Sequence, residues 1–160
     1  MNSFSELFEG DRAVYGEKVP RWNYWFLFFL RKTQTCRSKI LKKIYHLCFR
    51  MVSDRHCMEI SYGAVIGKGL LLKEPFTITI NSNSVLGENV TLGRNVTIGK
   101  QNRGKYAGSP LIGDRVEIGN NAVVVGKIRI GNNVRIAPDT YVNRDVPEGT
   151  CVYGNPFMIR

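Results

Sequence analysis

The stretch "GLLLKEPFTITIN", residues 69–81, sets a lone carboxylate, Glu74, beside Leu72 and Phe76. A carboxylate of ordinary pKa, about 4.3, is a weak base at neutral pH, and burial among apolar groups is what would raise it. Glu74 is therefore a candidate general base, or else a solvated corner residue with no chemistry. A second cluster lies in "GKQNRGKYAGSP", residues 99–110. Its Lys100, Arg103, Lys105 and Tyr106 suit an anionic or sugar-bearing acceptor, unless the stretch is a tolerated surface insertion. The two histidines, His46 in "KKIYHLCFR" and His56 in "SDRHCMEI", have no placed partner and read as helix-surface and junction residues. Cys36, Cys48, Cys57 and Cys151 are scattered without a CxxC pair, so no metal site is expected, and reduced thiols of a cytoplasmic protein are.

The elements that must carry these residues follow a six-residue beat. Ile60, Ile66 and Leu72 are six apart, as are Ile80, Leu86, Leu92 and Ile98, and again Ile112, Ile118, Val124, Ile130, Ile136 and Val142. Units such as "LGENVT", "LGRNVT", "IGDRVE" and "IGNNVR" add a second small or branched residue at the fifth position: Val90, Val96, Val116, Ala122, Val134 and Thr140. Six residues turn a helix by about 600°, which scatters the aliphatics around its axis. A hairpin sheet has period two. The beat instead predicts a solenoid of short strands and tight turns, with Gly-Asn pairs at corners of positive φ. Two irregularities interrupt it. Leu72 and Ile80 are two residues too far apart at Glu74, and fourteen residues separate Ile98 from Ile112 at the basic loop.

Ahead of the repeat, Trp22–Arg50 holds seven Lys or Arg and no acid, a large part of the chain's net charge of +10. "WNYWFLFFL" is far short of the roughly 20 apolar residues of a spanning helix. The first twenty residues are polar and acid-containing, unlike a cleavable signal. "RKTQTCRSKILKKIYHLCFR" has Ile40, Leu41, Ile44, Leu47 and Cys48 at helical spacing. The expectation is an amphipathic basic helix docked on the rest of the protein, with peripheral membrane contact as the alternative. No nucleic-acid motif accompanies the charge, so no nucleic acid partner is expected.

The run "IGDRVEIGNNAVVVGKIRIGNNVRIAPDTYVNRDVPEGTCVYGNPFMIR" resembles the hexapeptide-repeat acyltransferases, specifically the serine acetyltransferase-like branch that includes many bacterial polysaccharide O-acetyltransferases. The resemblance covers about two thirds of the chain. It implies a mainly β protein, a left-handed parallel β-helix with an N-terminal helical segment, assembled as a homotrimer with acetyl-CoA as acyl donor in a cleft between prisms. By position, Asn120, Pro138, Asn143 and Arg144 would line that donor, and Arg144 has a physical reason in charge-assisted bonds to phosphate. Family members carry a catalytic histidine in a stretch like "GLxIxHxxxIVIN", and Glu74 stands at that histidine's place. Their second histidine, before the Pro of the external loop, is Ser109 here.

These readings divide the chain into a basic helical segment, 1–57, and a β-helix domain, 58–160, with an external loop at 100–110 and a tail at 147–160. The lost second histidine and the short helical segment argue against free serine. The expected acceptor is a sugar hydroxyl on a lipid-linked or nucleotide-linked glycan of a surface polysaccharide, acetylated in the cytoplasm at the inner face of the membrane. Serine O-acetylation and a degenerate binding trimer are the alternatives.

Overall fold

The computed structural model describes residues 3–155 and 158–159. Three helices come first: α1 (Phe4–Ala13), α2 (Arg21–Thr35) and α3 (Lys39–Asp54). Ser3 opens α1 by accepting the Glu6 amide on its Oγ at 3.1 Å, which satisfies one of the free N–H groups of the first turn. From Glu59 onward the strands are only two or three residues long, and from β4 (Thr79–Ile80) to β14 (Cys151–Tyr153) each lies in parallel register on the strand one coil earlier.

Three faces result. The first holds β1 (Glu59–Ile60), β4 (Thr79–Ile80), β7 (Thr97–Gly99), β10 (Val123–Val125) and β13 (Tyr141–Val142). The second holds β2 (Val65–Ile66), β5 (Val85–Leu86), β8 (Leu111–Ile112) and β11 (Arg129–Ile130). The third holds β3 (Leu71–Leu72), β6 (Thr91–Leu92), β9 (Glu117–Ile118), β12 (Arg135–Ile136) and β14 (Cys151–Tyr153), with β15 (Met158–Ile159) antiparallel at its end. The repeat's solenoid is thus built as the left-handed parallel β-helix that the family resemblance implies. The tail 147–160 falls partly outside the described residues, at 156–157 and 160.

The periodic aliphatics form the core. Ile60, Ile80, Ile98, Val124 and Val142 are register partners up the first face, and all are buried. The fifth-position residues Val90, Val96, Val116, Ala122, Val134 and Thr140 are buried as well. The corners differ in one respect from the expectation. Positive φ belongs to Asn89, Asn95, Arg115, Asn121, Asn133 and Asp139, not to the glycines that open the repeats. Those glycines are needed for close stacking: a Cβ on Gly119 would lie 2.6 Å from the Pro138 nitrogen in the next coil.

A solenoid's first coil leaves an open edge of backbone groups, which must be capped. Here α1 and α2 do it with a buried ion pair. Arg31 binds Asp11 at 2.7 and 2.8 Å and donates to the Ile66 and Gly67 carbonyls, while Asp11 Oδ1 accepts the amides of Gly69 and Leu70. The Tyr15 hydroxyl accepts the Leu72 amide at 2.8 Å, and Asn23 donates to the Leu72 carbonyl at 3.3 Å.

The third helix departs from expectation. It docks through Phe49 and Ser53, which are buried, whereas Ile40, Leu41, Ile44 and Leu47, the apolar residues expected to dock, face solvent. The spacing was helical, but two apolar stripes compete for one contact, and α2 takes the one centred on Phe49.

Candidate active site

Strand register turns the prism edges into columns of side chains. Leu72, Leu92, Ile118 and Ile136 are successive partners on the third face. The residues two places after each, Glu74, Arg94, Asn120 and Pro138, therefore stack along the edge between the third and first faces. Glu74 accepts from Asn120 Nδ2 at 3.5 Å on one oxygen and faces Arg94 Nε at 3.6 Å with the other. Asn120 Oδ1 in turn accepts the Arg94 amide at 3.1 Å. The Glu74 side chain is 54% exposed, so the burial expected from Leu72 and Phe76 does not occur in a single chain. Phe76 is itself exposed, because the two extra residues carry this turn outward from the prism.

Lys73, next to Glu74, points across the third face. It bonds Glu117 at 2.5 Å, and Arg135 reaches the other Glu117 oxygen at 3.1 Å. The hydrogen bond from Lys73 is the main reason the Glu117 carboxyl is held below its ordinary range, with the two cations' charges adding to it.

His56 lies beneath this turn. Its Nδ1 is 2.6 Å from the Pro75 carbonyl, its ring stacks on Trp22 at 3.9 Å, and Phe76 is 5.6 Å away. A ring nitrogen against a carbonyl must carry a proton, so His56 Nδ1–H donates to the Pro75 carbonyl. His46 is far from this turn in kind: it sits on α3, against Tyr62 at 5.0 Å.

The other candidates gather on a different edge, between the first and second faces. Ile98, Val124 and Val142 are partners, which puts Lys100 and Arg144 in one column two coils apart, with Asn143 one residue before Arg144. Lys100, Asn143 and Arg144 are exposed. The loop at 100–110 is a small finger closed by reciprocal bonds between Gln101 and Gly108 at 2.9 and 2.8 Å. Arg103 and Lys105 are exposed on it, while Tyr106 packs partly onto the core with Lys105 Nζ 5.5 Å from its ring. Ser109 donates to Asn81 at 3.1 Å.

The structure thus brings Glu74, Asn120 and Pro138 together, and separately Lys100, Asn143 and Arg144 with the finger. One face of the prism lies between the two groups. Arg94 is absent from the residues that the sequence singles out, and His56, expected only as a junction residue, lies at that junction but directly under the Glu74 turn. Arg94 was within reach of register counting, since it follows Leu92 as Glu74 follows Leu72; the packing of His56 against Trp22 joins distant segments and left no local signal. Chemically, the first edge offers a carboxylate held by an amide and a cation, and the second offers exposed cations suited to phosphate.

The bacterial transferase hexapeptide (six repeats) family matches residues 109–144. A serine acetyltransferase of Synechococcus elongatus is 35% identical over 154 residues, which is 95% of this chain and 57% of that protein. The chain thus spans little more than half the length of that relative. Among solved structures, the serine acetyltransferase of Neisseria gonorrhoeae in complex with serine superposes with a TM-score of 0.81 at 27% identity, over 97% of this chain and 68% of that one. Soybean serine acetyltransferase complexed with serine has the same fold, with a TM-score of 0.81 at 24% identity over 99% of this chain and 70% of that one.

These likenesses correct the expectation of a sugar acceptor in polysaccharide synthesis. The loss of a histidine at Ser109 had argued against serine, yet the proteins that this chain is similar to over nearly its whole length are serine acetyltransferases. With the coil register, the corner columns and these matches together, the chain belongs to the hexapeptide-repeat acyltransferases.

Proposed function

We propose that the chain is a serine O-acetyltransferase, using acetyl-CoA as donor. The observation that carries this reading is the likeness, over 97% of the chain, to a serine acetyltransferase solved with serine. The thioester supplies an activated carbonyl; the remaining work falls to the protein. Glu74 accepts the proton of the attacking hydroxyl, with Arg94 and Asn120 holding its two oxygens in place. Lys100, Asn143 and Arg144, with the finger residues Arg103 and Lys105, bind the donor's phosphates by charge-assisted hydrogen bonds. Their exposure and common edge fit a long phosphorylated ligand.

Both edges belong to the same reaction in this reading, yet a whole face separates them in one chain. A homotrimer, with the Glu74 edge of one prism against the finger edge of the next, reunites them. We assign this chemistry to the cytoplasm, a compartment that holds acetyl-CoA.

A second reading rests on Glu74 itself. Its column holds no imidazole, and its carboxylate is half exposed in a single chain. A trimer that binds acetyl-CoA without turning it over accounts for that. Thiol release from acetyl-CoA by the purified chain, with and without L-serine, decides between them. Serine-dependent release is expected. Calorimetric binding of acetyl-CoA with no serine-dependent release would overturn the enzyme reading in favour of the binding trimer.

A further inference from the structure

Helix α3 presents an apolar stripe with nothing on it. Ile40, Ile44, Leu47 and Met51 follow one another at intervals of four, three and four residues, so they line one side of the helix, with Leu41 at its margin. Ile40 is 74% exposed, Leu47 62% and Met51 64%, values that buried packing residues never reach. The opposite side, carrying Phe49 and Ser53, is the one held by the protein. Single exposed apolar residues are ordinary, but five on one helix face form a contact surface.

Charge decides what that surface fits. Lys39, Lys43 and Arg50 are exposed along one flank of the stripe, and Arg37 and Arg55 are exposed just beyond its two ends. Among the described residues none of these five cations is in an ion pair. The only acid on α3 is Asp54, its last residue. Two copies pairing stripe to stripe would set these cations against their own duplicates with almost no acid to meet them. An acidic lipid surface takes both features at once: aliphatic side chains enter the headgroup–acyl boundary while lysine and arginine stay among anionic headgroups. No helix among the described residues is long and apolar enough to cross a membrane, so α3 lies along the surface. At about 1.5 Å per residue its 16 residues extend roughly 24 Å, enough for several headgroups.

We propose that α3 is a peripheral membrane anchor, its Ile40–Met51 stripe laid on an anionic lipid leaflet with Lys39, Lys43 and Arg50 among the headgroups. This goes beyond the acetyl-transfer reading and does not depend on it. The helix is held to the protein by its other side, so the anchor and the β-helix edges are presented together, and the enzyme works next to the leaflet. The anionic cytoplasmic leaflet is the surface with this chemistry.

The test uses the full chain and two sets of vesicles, pure phosphatidylcholine and phosphatidylcholine with about one third phosphatidylglycerol, read by flotation. Roughly tenfold or stronger partition onto the anionic vesicles is expected, falling as added salt shortens the screening length from about 10 Å at 0.1 M toward 3 Å at 1 M. Replacing Ile44→Glu and Leu47→Glu together should abolish partition to both vesicle types. Replacing Lys39→Glu and Lys43→Glu should remove the preference for anionic lipid while keeping the apolar stripe. All four positions are exposed, so unchanged circular dichroism and melting are expected, and either pair of substitutions suffices if the other does not fold. Equal binding to both vesicle types, or none to either, overturns the proposal. If the wild type ignores vesicles and Ile44→Glu with Leu47→Glu lowers the mass in sedimentation, the stripe is a contact between copies instead.

Discussion

Glu74 Oε2 stands 3.6 Å from Arg94 Nε, one coil along the same prism edge, while Lys73 turns away to meet Glu117 at 2.5 Å. Adjacent residues of opposite charge thus serve different partners, because they leave a short strand toward different sides. The carboxylate is kept on the edge, where Asn120 also reaches it.

If Glu74 takes the hydroxyl proton, Glu74→Gln keeps the shape and removes the base. Serine-dependent thiol release should fall by about a hundredfold or more, the usual worth of a positioned general base. Glu74→His restores the residue type of the resembled family and should raise the rate at neutral pH above that of the natural chain. An unchanged rate in Glu74→Gln would remove Glu74 from the mechanism.

Arg94→Ala tests positioning apart from stability. The pair is more than half exposed, so the change in unfolding free energy should stay within about 0.5 kcal/mol in urea titration. The turnover number should drop while KM for acetyl-CoA holds, and Arg94→Lys should recover part of it.

The capping pair behaves oppositely. Asp11 and Arg31 are fully buried, and between them they satisfy backbone groups of residues 66, 67, 69 and 70. Asp11→Ala should cost about 3–5 kcal/mol, seen as a lower urea midpoint. Replacing both partners by apolar residues should not rescue it, since the four backbone groups would remain buried without partners.

Two groups tie stability to pH. Burial raises the Tyr15 hydroxyl above its ordinary 10.0 against the bonds from Leu72 and Asn23, which lower it. Its contribution is therefore complete below pH 10 and is lost as pH rises through the elevated value. Glu117 is lowered from 4.5, chiefly by Lys73, so its contribution is present above that pH and fades as pH falls through the depressed value. Melting temperatures across pH should fall at both ends, and Lys73→Ala should flatten only the acid side.

If copies share the site, mixing variants tests it. Glu74→Gln chains and chains carrying Lys100→Ala with Arg144→Ala should each be weak in turnover. Co-refolded mixtures should recover activity above the sum of the two, because some clefts then pair an intact edge with an intact edge. Strict additivity would argue that each chain holds its own complete site.

The division of labour between sequence and fold can be read from single residues. Ile60 to Val142 announced the coil because burial of an aliphatic at every sixth position is a local rule that repeats, and each of those residues is buried. Leu72 to Ile80 announced its own irregularity in the same way. The amphipathic pattern of α3 was also legible, though not which of its sides would be covered, since that depends on what α2 offers.

Sequence alone determined the solenoid, its two interruptions and the acid at the first of them, because periodic burial and turn chemistry act over six residues. Only the tertiary structure decided that Glu74 shares a column with Arg94 and Asn120, that His56 sits under the same turn, that Asp11 and Arg31 close the first coil, and that α3 keeps its stripe in solvent. Those contacts join residues a coil or more apart, and their geometry comes from strand register and helix docking, which no short window of the chain contains.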